Sequence, residues 1–166
     1  MAKITIGGNP TTTSGDLPQI GSKAPSFAFV GTDMQEFSSE KFTGKKMILN
    51  IFPSVDTGVC AASIRAFNKA ASELKNTVVL CLSMDLPFAQ KRFCGAEGIE
   101  NVVMGSGFLD GGRFGKDYGV SLMDAAFKGL YSRAVVVVDE NGAVTYTEQV
   151  PEIGQEPDYE KALASI

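Results

Sequence analysis

Cys60 closes the run Phe52-Pro53-Ser54-Val55-Asp56-Thr57-Gly58-Val59-Cys60, with Thr57 three residues before it and Pro53 seven before it. A cysteine reacts as its thiolate, and an unperturbed thiol is mostly protonated at neutral pH. The 166-residue chain contains no histidine, so Ser-His and Cys-His nucleophilic pairs are excluded, along with the commonest metal ligand. Two ways of stabilising the anion remain. One is a helix N-terminus, with free N–H groups and a partial positive charge; the other is an arginine, always cationic and rich in donors. Spacing does not choose among Arg65, Arg92, Arg113 and Arg133, although Arg133 opens a buried strand. The hydroxyl of Thr57 can bond a thiolate or a substrate oxygen but cannot form a disulfide. Thr-x-x-Cys thus stands where disulfide oxidoreductases carry C-x-x-C, which favours oxygen-substrate chemistry over thiol exchange. Thr57 would serve equally as an N-cap, and Pro53 as a plain strand terminator.

Cys81 and Cys94 complete the cysteine set. Cys81, inside Val79-Leu80-Cys81-Leu82, reads as an inert packed thiol. Cys94 precedes Gly95 at the fraying end of a short helix, where a spectator and a reactive partner are equally compatible with the spacing. With no C-x-x-C pair a zinc site is not expected. The glycines around Gly111-Gly112 have neither Walker nor dinucleotide spacing, and no cofactor is expected. A net charge of -4 with scattered basic residues argues against nucleic acid. No segment reads as a signal peptide or a membrane span, so a cytoplasmic location is expected.

The elements that must position Cys60 follow from hydrophobic period. Lys3 to Thr13 reads as a hairpin turning at Gly7-Gly8. Met47-Ile48-Leu49-Asn50-Ile51-Phe52 is a buried strand stopped by Pro53. Ile64, Phe67, Ala71 and Leu74 recur at helical steps, and four back from Ile64 is Cys60. The helix therefore starts near Asp56 or Thr57 and carries Cys60 inward in its first turn. Val78 to Met84 is a second buried strand, and Phe88 to Cys94 a short helix ended by Gly95. Gly105 to Gly119 reads as loop with short elements. Ala134 to Val138 and Ala143 to Val150 form a hairpin, before a last helix from about Pro157. This order describes an α/β fold of thioredoxin-like type, residues 1–166 forming one domain with a mixed sheet flanked by helices.

Pro53-x-x-x-Thr57-x-x-Cys60 resembles the peroxidatic motif of the peroxiredoxins, and Asn50 to Ser63 is similar to the bacterial thiol peroxidases, their atypical two-cysteine branch. The similarity continues through Asp85-Leu86-Pro87-Phe88-Ala89-Gln90, Arg92-Phe93-Cys94-Gly95-Ala96-Glu97-Gly98, Lys128-Gly129-Leu130, Arg133 to Val138 with Asp139-Glu140-Asn141, and Glu156-Pro157-Asp158-Tyr159-Glu160. The resemblance implies that Cys60 is the peroxidatic thiolate and Cys94 the resolving cysteine, joined during turnover in an intramolecular disulfide. It implies that Thr57 bonds the thiolate and orients the peroxide, that Pro53 shields the sulfur from water, and that Arg133 holds the thiolate. It further implies hydrogen peroxide and alkyl or lipid hydroperoxides as substrates, thioredoxin as reductant, and a homodimer. Some of Phe88, Phe93, Phe108, Phe114 and Phe127 would then line an apolar mouth, the others being core. Two further readings stand beside this one: a redox-responsive binding module without turnover, and a disulfide reductase, which Thr57 disfavours.

Overall fold

A computed structural model describes residues 1–124 and 126–166. The Lys3–Thr13 hairpin forms from β1 (Lys3–Ile6) and β2 (Asn9–Thr12). Gly7 and Gly8, at φ 57° and 82°, supply the left-handed turn that a two-residue hairpin needs. The main sheet has seven strands: β3 (Ala28–Val30), β4 (Glu36–Ser38), β5 (Lys46–Ile51), β6 (Thr77–Ser83), β7 (Val103–Ser106), β8 (Ala134–Val138) and β9 (Val144–Gln149), in the order β4-β3-β7-β6-β5-β8-β9. β5, β6 and β7 run parallel, while β8, β9, β3 and β4 add antiparallel pairings outside them. The helices are α1 (Gly58–Ala71), α2 (Pro87–Glu97), α3 (Arg113–Asp117) and α4 (Tyr159–Ala164).

Alternation along the central strands sorts side chains into two cores. Met47, Leu49 and Ile51 join Leu80, Leu82, Val136 and the aromatic group of Phe27, Phe29, Phe114 and Tyr118. Ile48, Phe52, Val79, Cys81, Val135 and Val137 face the other way, against Cys60, Ile64 and Phe67 of α1, Phe93 of α2 and Ala162 of α4. Both faces are covered, which is why these strands read as nearly unbroken apolar runs.

Three expectations shift. α2 continues through Gly95 and ends at Gly98, whose φ of 65° and ψ of 35° make the left-handed stop. Gly98 and Ile99 both return their N–H groups to the Cys94 carbonyl, and Ile99 is buried beside it, the combination that closes a helix. The Gly105 expected in loop belongs to β7. A Cβ there would lie 2.8 Å from Leu82 and 2.9 Å from Phe29, so glycine is the residue that lets β7 pack between them. The last helix begins at Tyr159 rather than Pro157, because Asp158 is its N-cap and accepts from the Lys161 amide.

Candidate functional site

β5 and β6 are parallel neighbours, so the loops at their C-terminal ends, Phe52 to Thr57 and Met84 to Leu86, emerge side by side. In open α/β sheets this edge is where sites form. Pro53 is buried and ends β5. A tight turn follows: the Thr57 amide and hydroxyl both donate to the Ser54 carbonyl, at 3.3 and 3.2 Å. Thr57 is the N-cap residue of α1, extended at φ -101° and ψ 141°, but its hydroxyl caps no helical N–H. It faces back into the turn instead.

Cys60 follows as the third residue of α1 and is fully buried. Arg133 reaches it from the start of β8, with Nη1 donating to Sγ at 3.3 Å. The same guanidinium donates through Nε to the Ile153 carbonyl at 2.7 Å, which fixes its plane. Arg133 is only 2% exposed, whereas Arg65, Arg92 and Arg113 lie 48%, 64% and 72% exposed in surface ion pairs. A buried cation without a carboxylate partner is costly, and here the group it meets is a sulfur. Among the described residues no main-chain N–H bonds that sulfur. The amide contribution expected from the helix start is therefore limited to the helix dipole.

The redoxin family model matches residues 19–163. A thiol peroxidase of Corynebacterium glutamicum is 57% identical over 166 residues, covering 100% of this chain and 99% of that one. The chain belongs to the thiol peroxidase family. The crystal structure of a peroxiredoxin-like protein from Aquifex aeolicus matches with a TM-score of 0.92 at 36% identity, over 100% of this chain and 98% of that one. The thiol peroxidase from Chromobacterium violaceum, at 20% identity with a TM-score of 0.91 over 99% and 95% of the two chains, shares the fold.

The three cysteines are free thiols and meet at one apolar cluster. Cys94 sits half-buried on α2, and burial raises its thiol above the ordinary range. Cys81 is wholly buried on β6 and pushed up to about 12 by the same cause, eased by a contact from Asn50. At neutral pH it is therefore a neutral core group, as its flanking residues suggested. Of the phenylalanines considered for an apolar mouth, Phe93 and Phe114 are core, while Phe88 and Phe108 are exposed at 66% and 36%.

Sequence reasoning missed the residues that hold the site in shape. The Asp85 carboxylate accepts from the Ser54 hydroxyl at 2.7 Å, the Val55 amide at 2.9 Å and the Ser83 hydroxyl at 2.6 Å. It thereby fastens the turn before Cys60 to the end of β6. The available signal was an acidic residue directly after a buried strand, two positions beyond a serine. Behind Cys60, Asn50 donates to Ser63 at 3.2 Å, and Ser63 donates to the Cys60 carbonyl at 2.8 Å.

Proposed function

We propose that the Cys60 thiolate attacks one oxygen of a peroxide, breaking the O–O bond and leaving a sulfenic acid on Cys60 and an alcohol or water as product. The observation that carries this reading is the buried guanidinium of Arg133 at 3.3 Å from Cys60 Sγ. In a water-poor setting such a donor favours the thiolate and meets the charge that develops on the departing oxygen. Thr57 and Pro53 shape the entrance, the hydroxyl of Thr57 turning from the Ser54 carbonyl to the substrate or sulfur when peroxide enters. Cys94 then condenses with the sulfenic acid, expelling water and forming the Cys60–Cys94 disulfide. A thioredoxin-type dithiol reduces that disulfide by exchange and is itself oxidised. Hydrogen peroxide and organic hydroperoxides are the substrates of this reading, and a cytoplasmic homodimer, residues 1–166 forming one domain, is its acting form.

The test is peroxide consumption coupled to a thioredoxin system. Cys60→Ser should abolish it, and Cys94→Ser should leave one turnover and a trapped sulfenic acid. After one equivalent of peroxide, peptide mass spectrometry should find Cys60 joined to Cys94. Sustained turnover by Cys60→Ser, or a link from Cys60 to Cys81, would contradict the assignment.

A further inference from the structure

The N-terminal hairpin lies before the stretch that matches the redoxin model, residues 19–163, so it is an addition to that core. It nevertheless reaches the site. β9 ends at Gln149, and the last bond from this segment to β8 runs from the Val150 amide to the Arg133 carbonyl at 3.0 Å. The next residues, 151–154, leave the sheet and are held by the hairpin instead. The Thr5 amide donates to the Pro151 carbonyl at 2.8 Å, and the Ile153 amide donates to the Thr5 carbonyl at 2.9 Å. The Glu152 carboxylate accepts from the Thr5 hydroxyl, from the Gly7 and Gly8 amides at 3.0 and 3.1 Å, and from the Gly154 amide at 3.1 Å. Those four donors hold its carboxyl down to about 2, the Thr5 bond contributing most. Ile153 packs its side chain against Ile4 of β1 and Leu122. Its carbonyl is the one that accepts Arg133 Nε at 2.7 Å.

We propose that the hairpin is a positioning element for the reaction: Glu152 and Thr5 hold the Ile153 carbonyl, which aims the Arg133 guanidinium at Cys60. A guanidinium is planar and its donors are rigidly forked, so anchoring Nε sets the direction of Nη1. Were residues 151–154 free to drift, Arg133 would stay buried but lose its fixed orientation. Misplacement of a positioned group by about 1 Å costs on the order of 100-fold in rate. The inference rests on the reading of Cys60 as nucleophile and Arg133 as its partner.

The experiment measures Cys60 oxidation by hydrogen peroxide in the full chain carrying Cys94→Ser, which isolates the first step. Glu152→Ala should lower that rate constant by about 10-fold, and Thr5→Val, which removes one hydroxyl, by a few-fold. Glu152→Gln keeps one acceptor oxygen for Gly7 and Gly154 and should fall between Glu152→Ala and the parent. The alkylation rate of Cys60 against pH, followed by peptide mass spectrometry, should shift to higher pH in Glu152→Ala. Cys60 shares its cluster with the titratable Cys81, Cys94 and Tyr159 and meets Arg133, and of these Arg133 is the one bonded to the Ile153 carbonyl that this variant releases. In an Arg133→Gln background, Glu152→Ala should have little further effect, because its route to Cys60 is already cut. Additive losses there, or folded Glu152→Ala and Thr5→Val proteins with the parent's rate and pH profile, would overturn the proposal. If Glu152→Ala does not fold, Thr5→Val decides. Failure of the underlying reading is separate and visible as turnover surviving Cys60→Ser.

Discussion

A sulfur whose hydrogen-bond donor among the described residues is a single guanidinium depends on that group in both charge and direction. Arg133→Gln should therefore slow Cys60 oxidation by about 100-fold, the scale of losing one preorganised donor to a reacting anion. Arg133→Lys should recover only part of it. An ammonium keeps the charge but cannot bond the Ile153 carbonyl and the sulfur in one fixed plane. Stopped-flow oxidation of the two variants checks the order, and equal rates would contradict the geometric part. Cys60 and Thr57, the proposed nucleophile and its neighbour, stand out in the sequence as part of a compact Pro-x-x-x-Thr-x-x-Cys motif. The arginine was legible in principle from parity: position 133 shares the face of Val135 and Val137, which is the α1 face. That signal needs the strand register, which spacing alone does not supply. Cys81 yields a different prediction. Its folded thiol titrates at about 12 against an ordinary 9.0, so the folded state keeps a proton that the unfolded chain gives up. The stability this provides is intact below about pH 9 and is lost as pH rises towards 12, at about 1.4 kcal/mol per unit. Cys81→Ala lacks this term, so parent and variant should converge in urea unfolding free energy above pH 9. A gap that stays constant with pH would contradict it.

Asp85 acts at the scale of elements, because one carboxylate joins the loop after β5 to the end of β6 and stands two residues before α2. Removing it leaves the Val55 amide and two hydroxyls short of an acceptor, at a cost of roughly 1–3 kcal/mol. Asp85→Ala should lower the unfolding free energy by that amount and slow peroxide oxidation of Cys60 by about 10-fold, since the turn that sets Pro53 and Thr57 is released. Reduction of the preformed disulfide, which does not use that turn, should keep its rate. A loss of stability with unchanged peroxide reactivity would restrict Asp85 to a structural role. The strands and helices around this carboxylate were read from period, and their order held. What escaped were β3, β4 and β7, which are three, three and four residues long. So few residues show no period, and the glycine that permits β7 to pack looks like a loop signal. The end of α2 was misplaced for a related reason. Two glycines compete, and only tertiary burial of Ile99 selects Gly98.

For the molecule as a whole, the proposed Cys60–Cys94 disulfide has to form between two helices. Cys60 is fully buried on α1 and Cys94 half-buried on α2, both within helices, while a disulfide needs Cα atoms about 4.4–6.8 Å apart with matched Cβ directions. Two ion pairs tie the α1 region to α2: Asp56, in the turn before α1, with Arg92 at 2.7 Å, and Arg65 of α1 with Glu97 at 3.0 Å. Asn68 adds a clasp, accepting from the Glu100 and Asn101 amides at 3.2 and 2.8 Å. Both ion pairs are exposed, so each contributes only about 0.2–1 kcal/mol and is weakened by salt. In the proposed cycle such ties would keep Cys60 seated for peroxide and open at small cost once the sulfenic acid forms. Arg92→Ala should therefore speed disulfide closure by up to about 5-fold while leaving the first oxidation step unchanged, and added salt should speed closure in the parent but less in the variant. In hydrogen exchange, oxidation should strip protection from residues 61–64, whose amides close the first turn of α1, and from 94–99, while the central strands β5, β6 and β8 keep theirs. These strands are paired on both sides and carry the core, so they bound the region that can open. Closure that ignores both Arg92→Ala and salt, with the same protection in reduced and oxidised protein, would mean that the two sulfurs meet without the helices parting.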